Sequence, residues 1–452
     1  LCAVVGFFVA QSVRIPTKPY LQTNFYAMKQ FLLLLFIVPS ILFAQKTIIH
    51  CGKLIDPKQL QILTETSIVI EGNKIIDVQK GYTNPSVNDK VIDLKNKTVM
   101  PGLMDCHVHV ESETKKGNAA DKFTQNPVDI AFESIQYVNI TLMSGFTTVR
   151  DLGGSGVNIA LRNAINKKLV IGPGIYTAGK SIATTGGHAD PTNSYRKDLM
   201  GDPGPKEGVI NGPNEAYHAV RQRYKEGSDV IKITATGGVL SQAKDGANAQ
   251  FTEAEVKAIV AAAKDYGYKV AAHAHGAEGI KRAVRGGVNS IEHGTFMDEE
   301  GMQLMKQYGT YYVPTIIAGK SVADSAKILG YYTEIVTPKA LATGPQIQTT
   351  FGKAYKAGVK IAFGTDAGVY AHGKNWKEFL YMTEVGMPIL ECIQSATVNA
   401  ADLLGISDIL GTIEKGKLAD IIAVEGDPTK DVTSMSKVKF VMKDGKVYKN
   451  EN

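Results

Sequence analysis

Close cysteine pairs are missing from this sequence. Cys2, Cys51, Cys106 and Cys392 lie far apart in 452 residues, so neither a zinc knuckle nor a CxxC redox motif is available. Basic runs with interleaved aromatics are missing as well. The net charge of +6 is spread along the chain; it reads as a mixed, solvated surface and gives nucleic-acid binding no support. No apolar run is long enough to cross a bilayer comfortably, Phe31 to Val38 near the start being short for that purpose. What is present is core-forming material. With 44% hydrophobic and 21% charged residues, the chain has enough for one large barrel with additions or for several smaller domains.

The short apolar run carries a targeting pattern. Met28-Lys29-Gln30 is a charged lead, Phe31 to Val38 an apolar stretch, and Leu42-Phe43-Ala44 ends on a small residue suited to cleavage. Residues 28–44 thus read as a secretory signal and the mature protein as exported, periplasmic or secreted. No cysteine follows the cut directly, so no lipid anchor and no stable membrane attachment are expected. Residues 1–27 do not begin with Met and read as upstream sequence translated in frame. The competing reading is a membrane-associated extension beginning with Leu1 to Ala10.

Two compositions alternate after the leader. Residues 45–100 hold β-branched runs such as Thr47-Ile48-Ile49 and Ser67-Ile68-Val69-Ile70, with a hairpin turn at Glu71-Gly72-Asn73-Lys74. Residues 405–452 are similar, with a strand at Ala419 to Val424 and a hairpin around Lys443-Asp444-Gly445. Together they predict one small β-sandwich domain built from both ends. Residues 101–404 instead alternate strands with amphipathic helices, for example Glu253 to Tyr266 and Glu278 to Val284. Strand candidates are the run before His107, then Thr147–Arg150, Gly174–Ala178, Val230–Ile233, Val270–His273, Ser290–His293, Tyr311–Pro314 and Val359–Phe363. That count and alternation predict an α/β fold, a (β/α)₈ TIM barrel. An open doubly wound sheet is the alternative, but no GxGxxG follows the first strand.

Function in such a barrel sits at the C-terminal ends of the strands. Those ends carry His107 and His109, then Lys232, His273, His293 and Asp366. Alternation along an extended chain lets His107 and His109 face one ion together and turns Cys106 away as a packed thiol. Singly, each residue has a plain explanation: a strand-end histidine, a surface lysine, a helix-capping aspartate. Jointly, at strand ends in one order, they point to a metal centre. Arg150-Asp151 reads as a buried ion pair, and only one of Tyr311 and Tyr312 can face inward.

His107-Val108-His109, Lys232, the His273 to His275 region, Ile291-Glu292-His293-Gly294 and Gly364-Thr365-Asp366-Ala367-Gly368 resemble the motifs of the amidohydrolase superfamily. The resemblance runs from about Lys46 to the C-terminus. Thr185 to Asp190 and Gly368 to Gly373 are similar to loops of its prolidase-like dipeptidases, a group related to imidazolonepropionase. The resemblance implies a metal-dependent hydrolase of carbon–nitrogen amide bonds, with dipeptides as substrates. It implies that His107, His109 and Asp366 bind one divalent ion and His273 and His293 another. Lys232, carboxylated on its amine, would bridge the two. It further implies a hydroxide held by the metals as nucleophile and Asp366 as proton shuttle. Imidazole and carboxylate donors favour zinc without excluding manganese, cobalt or iron.

His188 would polarise the substrate carbonyl or hold its carboxylate, while His275 and His372 are candidates for the substrate pocket. Which of His273 and His275 is the ligand stays open. His275-Gly276-Ala277-Glu278 has the HxxE spacing of single-metal enzymes, which leaves a cyclic amide hydrolase or deaminase of the imidazolonepropionase type as the alternative. A non-catalytic metal- or solute-binding barrel is the second. Side-chain preference is not legible, and the oligomeric state is open, a homo-oligomer included.

Overall fold

A computed structural model of the chain describes residues 45–117, 121–244 and 246–451. The leader and cleavage expectations fall outside these residues. Among the described residues, no helix is long and apolar enough to cross a membrane.

The barrel strands run in parallel and are buried on both faces, because helices cover the outside and side chains fill the inside. They are β5 (Leu103–Val108), β6 (Phe146–Asp151), β7 (Gly174–Thr177), β10 (Ile231–Thr234), β11 (Val270–Gly276), β12 (Ser290–Phe296) and β13 (Tyr311–Val313). β5 pairs with β6 and β6 with β7; β10, β11, β12 and β13 pair in series. A two-residue β8 (Ala183–Thr184) and β9 (Val209–Ile210) form a separate small pair. Ile182 bridges Ile233 and joins the two arcs on one side.

The eighth expected strand is not a regular ladder. Its residues close the barrel through single bridges, Tyr312 to Ile361 and Val108 to Ala367. Cys106 N–H also donates to Phe363 O and Asp366 N–H to His107 O. Just beyond Phe363, Asp366 takes a left-handed backbone (φ 61°), uncommon outside glycine.

The helices between strands form where the periodicity predicts them. Thr252 caps Glu253–Asp265 with a capping box to Glu255, and Ala277–Arg285 ends at Gly286-Gly287.

The expected β unit is one continuous seven-stranded sheet, ordered β16-β15-β14-β4-β1-β2-β3. Its strands are β1 (Lys46–Asp56), β2 (Gln61–Glu71), β3 (Lys74–Lys80), β4 (Lys90–Pro101), β14 (Ile421–Glu425), β15 (Val438–Lys443) and β16 (Lys446–Asn450). All its pairs are antiparallel except β1 with β4. Asp444 and Gly445 both have positive φ, the geometry a tight hairpin requires. Alternation along β14 sends Ile421 and Ala423 into the sheet's own core and Ile422 and Val424 into the barrel-side core. β4 runs directly into β5 through Gly102, where a β-carbon would lie 2.3 Å from Thr147 Oγ1. Only glycine permits that approach.

Phe363 seals the irregular eighth segment by stacking on Phe379 (4.4 Å) and Phe146 (5.7 Å). Phe363→Ala is expected to lower stability by about 3–5 kcal/mol, read from urea unfolding. A loss near zero would mean that the segment is held by its backbone bridges alone.

Candidate metal centre

The strand ends converge on one cavity of about 240 Å³. His107, His109, Lys232, His273, His293 and Asp366 form its polar side, joined by His188 and His275. Leu152, Val239, Leu240, Val322, Ile347 and Val369 supply an apolar wall. Every sequence-predicted site residue therefore borders this cavity except His372.

His107 and His109 turn to the cavity across a break in strand register between Asp105 and Val108. Cys106 packs beside Met104, Tyr311 and Val313, and burial pushes its thiol up to about 12. His273 and His275, two apart on β11, both face the cavity. Tyr311, paired in register with Ser290, faces the barrel interior, its hydroxyl on Asp402 Oδ2 at 2.7 Å. Tyr312 turns to the outer helices, its ring 6.3 Å from that of Phe351 and its hydroxyl donating to His293 O at 2.8 Å.

His107, His109 and Asp366 meet closely enough to hold an ion, with one donor atom from each inside a 4.8 Å set. Asp366 Oδ1 lies 3.3 Å from His109 Nε2 and 3.6 Å from His107 Nε2. That oxygen is buried and accepts no hydrogen bond, as expected of an atom whose partner is a cation. The opposite ring nitrogens are already engaged. His107 Nδ1 donates to Glu292 Oε2 at 2.9 Å and His109 Nδ1 to Gly153 O at 2.8 Å. Acceptors at Nδ1 fix the tautomer and leave Nε2 with a free lone pair. His273 is locked the other way round, Nε2 donating to Gly237 O at 3.1 Å. His293 Nδ1 lies 2.8 Å from Thr315 Oγ1, and His275 Nδ1 2.8 Å from Thr295 Oγ1. The His273 and His275 rings lie 4.7 and 5.0 Å from that of His293, so ring position alone does not choose between them.

Electrostatics favour neutral donors. Burial drives His107, His273 and His293 well below the usual histidine value. It takes His275 to about 4 and His188 to about 3. Burial also pulls His109 down, but the Asp366 carboxylate beside it more than offsets this, and the net shift is upward. Burial lowers Lys232 to about 8, against the pull of Glu292 and Asp366. Among the described residues, its ammonium has no hydrogen-bond or ion-pair partner. A buried ammonium with nothing to donate to is costly.

Glu292 was present in the sequence only as a letter of the Ile291 to Gly294 motif. It is fully buried and joins His107 to Arg150, whose Nη2 donates to Oε1 at 2.9 Å. Arg150 Nε also donates to Cys106 O at 2.6 Å. A charged residue inside an apolar strand, directly before His293, was the available signal. Arg150 and Asp151 are not paired with each other, because neighbouring strand residues face opposite ways. Asp151 instead accepts from Thr177 Oγ1 (2.7 Å) and Asn158 Nδ2 (2.6 Å). Asp105 was also missed. It accepts from Thr365 Oγ1, Asn375 Nδ2 and the His107 N–H, tying the first barrel segment to the eighth.

Two further sequence expectations need correction. His372 does not reach the cavity: its ring lies flat on Tyr137 (4.9 Å), with Nε2 3.3 Å from Ser112 O. The chain turns away after Asp366 through Gly368 (φ 112°), so Val369 lines the cavity in its place. Glu278 faces solvent on the helix Ala277–Arg285, its side chain 55% exposed and bonded to Arg282 Nε. It is out of reach as the proton shuttle of an HxxE site. His293 (φ 70°), Thr315 (φ 51°) and Asp366 (φ 61°) all hold left-handed backbones, an uncommon conformation outside glycine that concentrates at functional sites.

A family model described as the amidohydrolase family matches residues 98–448. Ochratoxinase of Aspergillus niger is 32% identical over 434 residues, covering 90% of this chain and 87% of its own. Imidazolonepropionase of Sphingopyxis alaskensis is 24% identical over 389 residues, covering 82% and 89%. A solved Xaa-Pro dipeptidase with methionine bound in its active site has a TM-score of 0.88 and 57% identity, covering 90% of this chain and 100% of that one.

Glu292→Gln should weaken retention of a divalent ion about 10- to 100-fold, measured by chelator competition. Unchanged retention would mean that the His107 tautomer is set without Glu292.

Proposed function

Because the chain belongs to the amidohydrolase family and is a hydrolase of carbon–nitrogen bonds, we propose that it is a dipeptidase working through two divalent ions. His107, His109 and Asp366 would hold the first ion, and His273 and His293 the second. Lys232, carboxylated on Nζ, would bridge them. Zinc suits these donors best. Ions held there supply Lewis-acid polarisation of an amide carbonyl and lower the pKa of water.

The observation that carries the reading is the Lys232 amine, without a partner among the described residues, facing a ring of imidazoles and Asp366. An ammonium there would repel any cation placed among those donors. Burial lowers the Lys232 amine to about 8 from 10.5, so its neutral form is more accessible near pH 7 than for an ordinary lysine. The neutral amine adds carbon dioxide, loses a proton and becomes an anionic oxygen ligand. For His273 as the second ligand, the lock of Nε2 on Gly237 O leaves Nδ1 free toward the cavity.

The chain's own groups then divide the work. Asp366 takes the proton of the attacking water and passes it to the leaving amine. His188, kept neutral by burial, hydrogen-bonds the substrate carbonyl or carboxylate. The apolar wall receives an uncharged side chain and excludes water. The Xaa-Pro dipeptidase with bound methionine, 57% identical, supports dipeptides with a carboxyl-side proline as the first trial. The single-metal alternative has lost its shuttle with Glu278 turned to solvent.

Protein expressed without residues 1–44 should carry two divalent ions per chain and hydrolyse members of a dipeptide panel. Lys232→Ala should abolish two-ion loading, measured by elemental analysis; unchanged loading sinks the bridge. Asp366→Asn should lower kcat about 10²- to 10⁴-fold. Glu278→Ala should leave turnover within about twofold, as for a surface change; a collapse on that substitution would favour the single-metal reading.

A further inference from the structure

The loop after β10 forms one side of the cavity. Its Val239 and Leu240 line the apolar wall. Gly238 lies so near the His188 ring that a β-carbon there would come within 2.2 Å of Nδ1. Lys339, on the helix Val336–Lys356, reaches across into this loop. Its ammonium donates to Ser241 O and Ala243 O at 2.7 Å each, and to Gly238 O at 3.2 Å. Gly246 packs on its methylene stem, where a β-carbon would stand 3.0 Å from Lys339 Cδ. Gln242 adds weaker ties, its Oε1 3.0 Å from Thr333 Oγ1 and its carbonyl accepting from Ser194 Oγ at 2.7 Å.

An ammonium offers three donors and no acceptor, and here three carbonyls of one short loop converge on it. Such charge-assisted bonds are roughly twice as strong as neutral ones.

From this geometry we infer that Lys339 is a positioning residue for substrate: it gathers the carbonyls of Gly238, Ser241 and Ala243 and so sets the wall of Val239 and Leu240 and the seat of His188. It governs how tightly substrate is held more than how fast the bond is cut. The inference rests on the reading of this cavity as the site of amide hydrolysis.

Lys339→Met in the mature protein keeps the stem and removes the donors. KM for the dipeptide hydrolysed best by the unmodified protein should rise about tenfold, the loss of a charge-assisted bond, with kcat within about threefold. Lys339→Arg should recover part of the loss. Amide deuterium exchange across residues 237–243 should quicken in Lys339→Met. Unchanged KM with unchanged exchange overturns the inference, as does a fall in kcat matching that in kcat/KM. If thermal melting shows that Lys339→Met does not fold, Gln242→Ala carries the test: KM should rise about threefold with faster exchange, and no change in either overturns it. Exchange needs no substrate. If the unmodified protein hydrolyses no dipeptide, the functional reading fails by itself, and faster or unchanged exchange still decides whether Lys339 holds the loop.

Discussion

A guanidinium, a carboxylate and an imidazole in series form the constraint on which the barrel interior depends. Arg150 on β6, Glu292 on β12 and His107 on β5 are all buried, and each satisfies the next. Breaking such a buried pair by removing one partner costs about 3–5 kcal/mol, because a charge is left without its counterion. The chain therefore fixes three strands and one ring orientation at once. It also explains why a negative charge is tolerated beneath a cluster of neutral histidines.

Above that chain the cavity is divided. One half is a set of nitrogen and oxygen donors whose unused atoms are committed to Glu292, Gly153, Gly237, Thr295 and Thr315. The other half is aliphatic and comes from loops and from the helices Ile316–Ala326 and Val336–Lys356. Most of the donor half comes from strand ends. The aliphatic half comes from loops and helices, and Lys339 holds one of those loops by its carbonyls.

Much of this was legible in the residues. The barrel could be read because several apolar runs end on a residue able to bind metal, and the β unit because both ends of the chain carry β-branched runs and tight turns. Glu292, Asp105 and Thr315 were not legible as site residues, since each acts through a partner distant in sequence. His372 was misplaced because proximity to Asp366 in the chain does not survive the left-handed turn between them. Glu278 matched a spacing, yet the face of its helix decided against it. The eighth segment was expected as a strand because its composition is that of one, while pairing through single bridges is set by its neighbours in the barrel, which composition does not carry.

The seven-stranded sheet bears on how the protein is made. β4 is in place early in synthesis, but its partner β14, which meets Pro101 with Ile421, leaves the ribosome only after the whole barrel. Until then β4 presents an unsatisfied backbone edge, the kind of surface that recruits other strands. Completing the sheet thus needs a pairing between segments far apart in the chain, the kind of contact that slows folding, and a chain interrupted before residue 421 lacks the strand that covers this edge of β4.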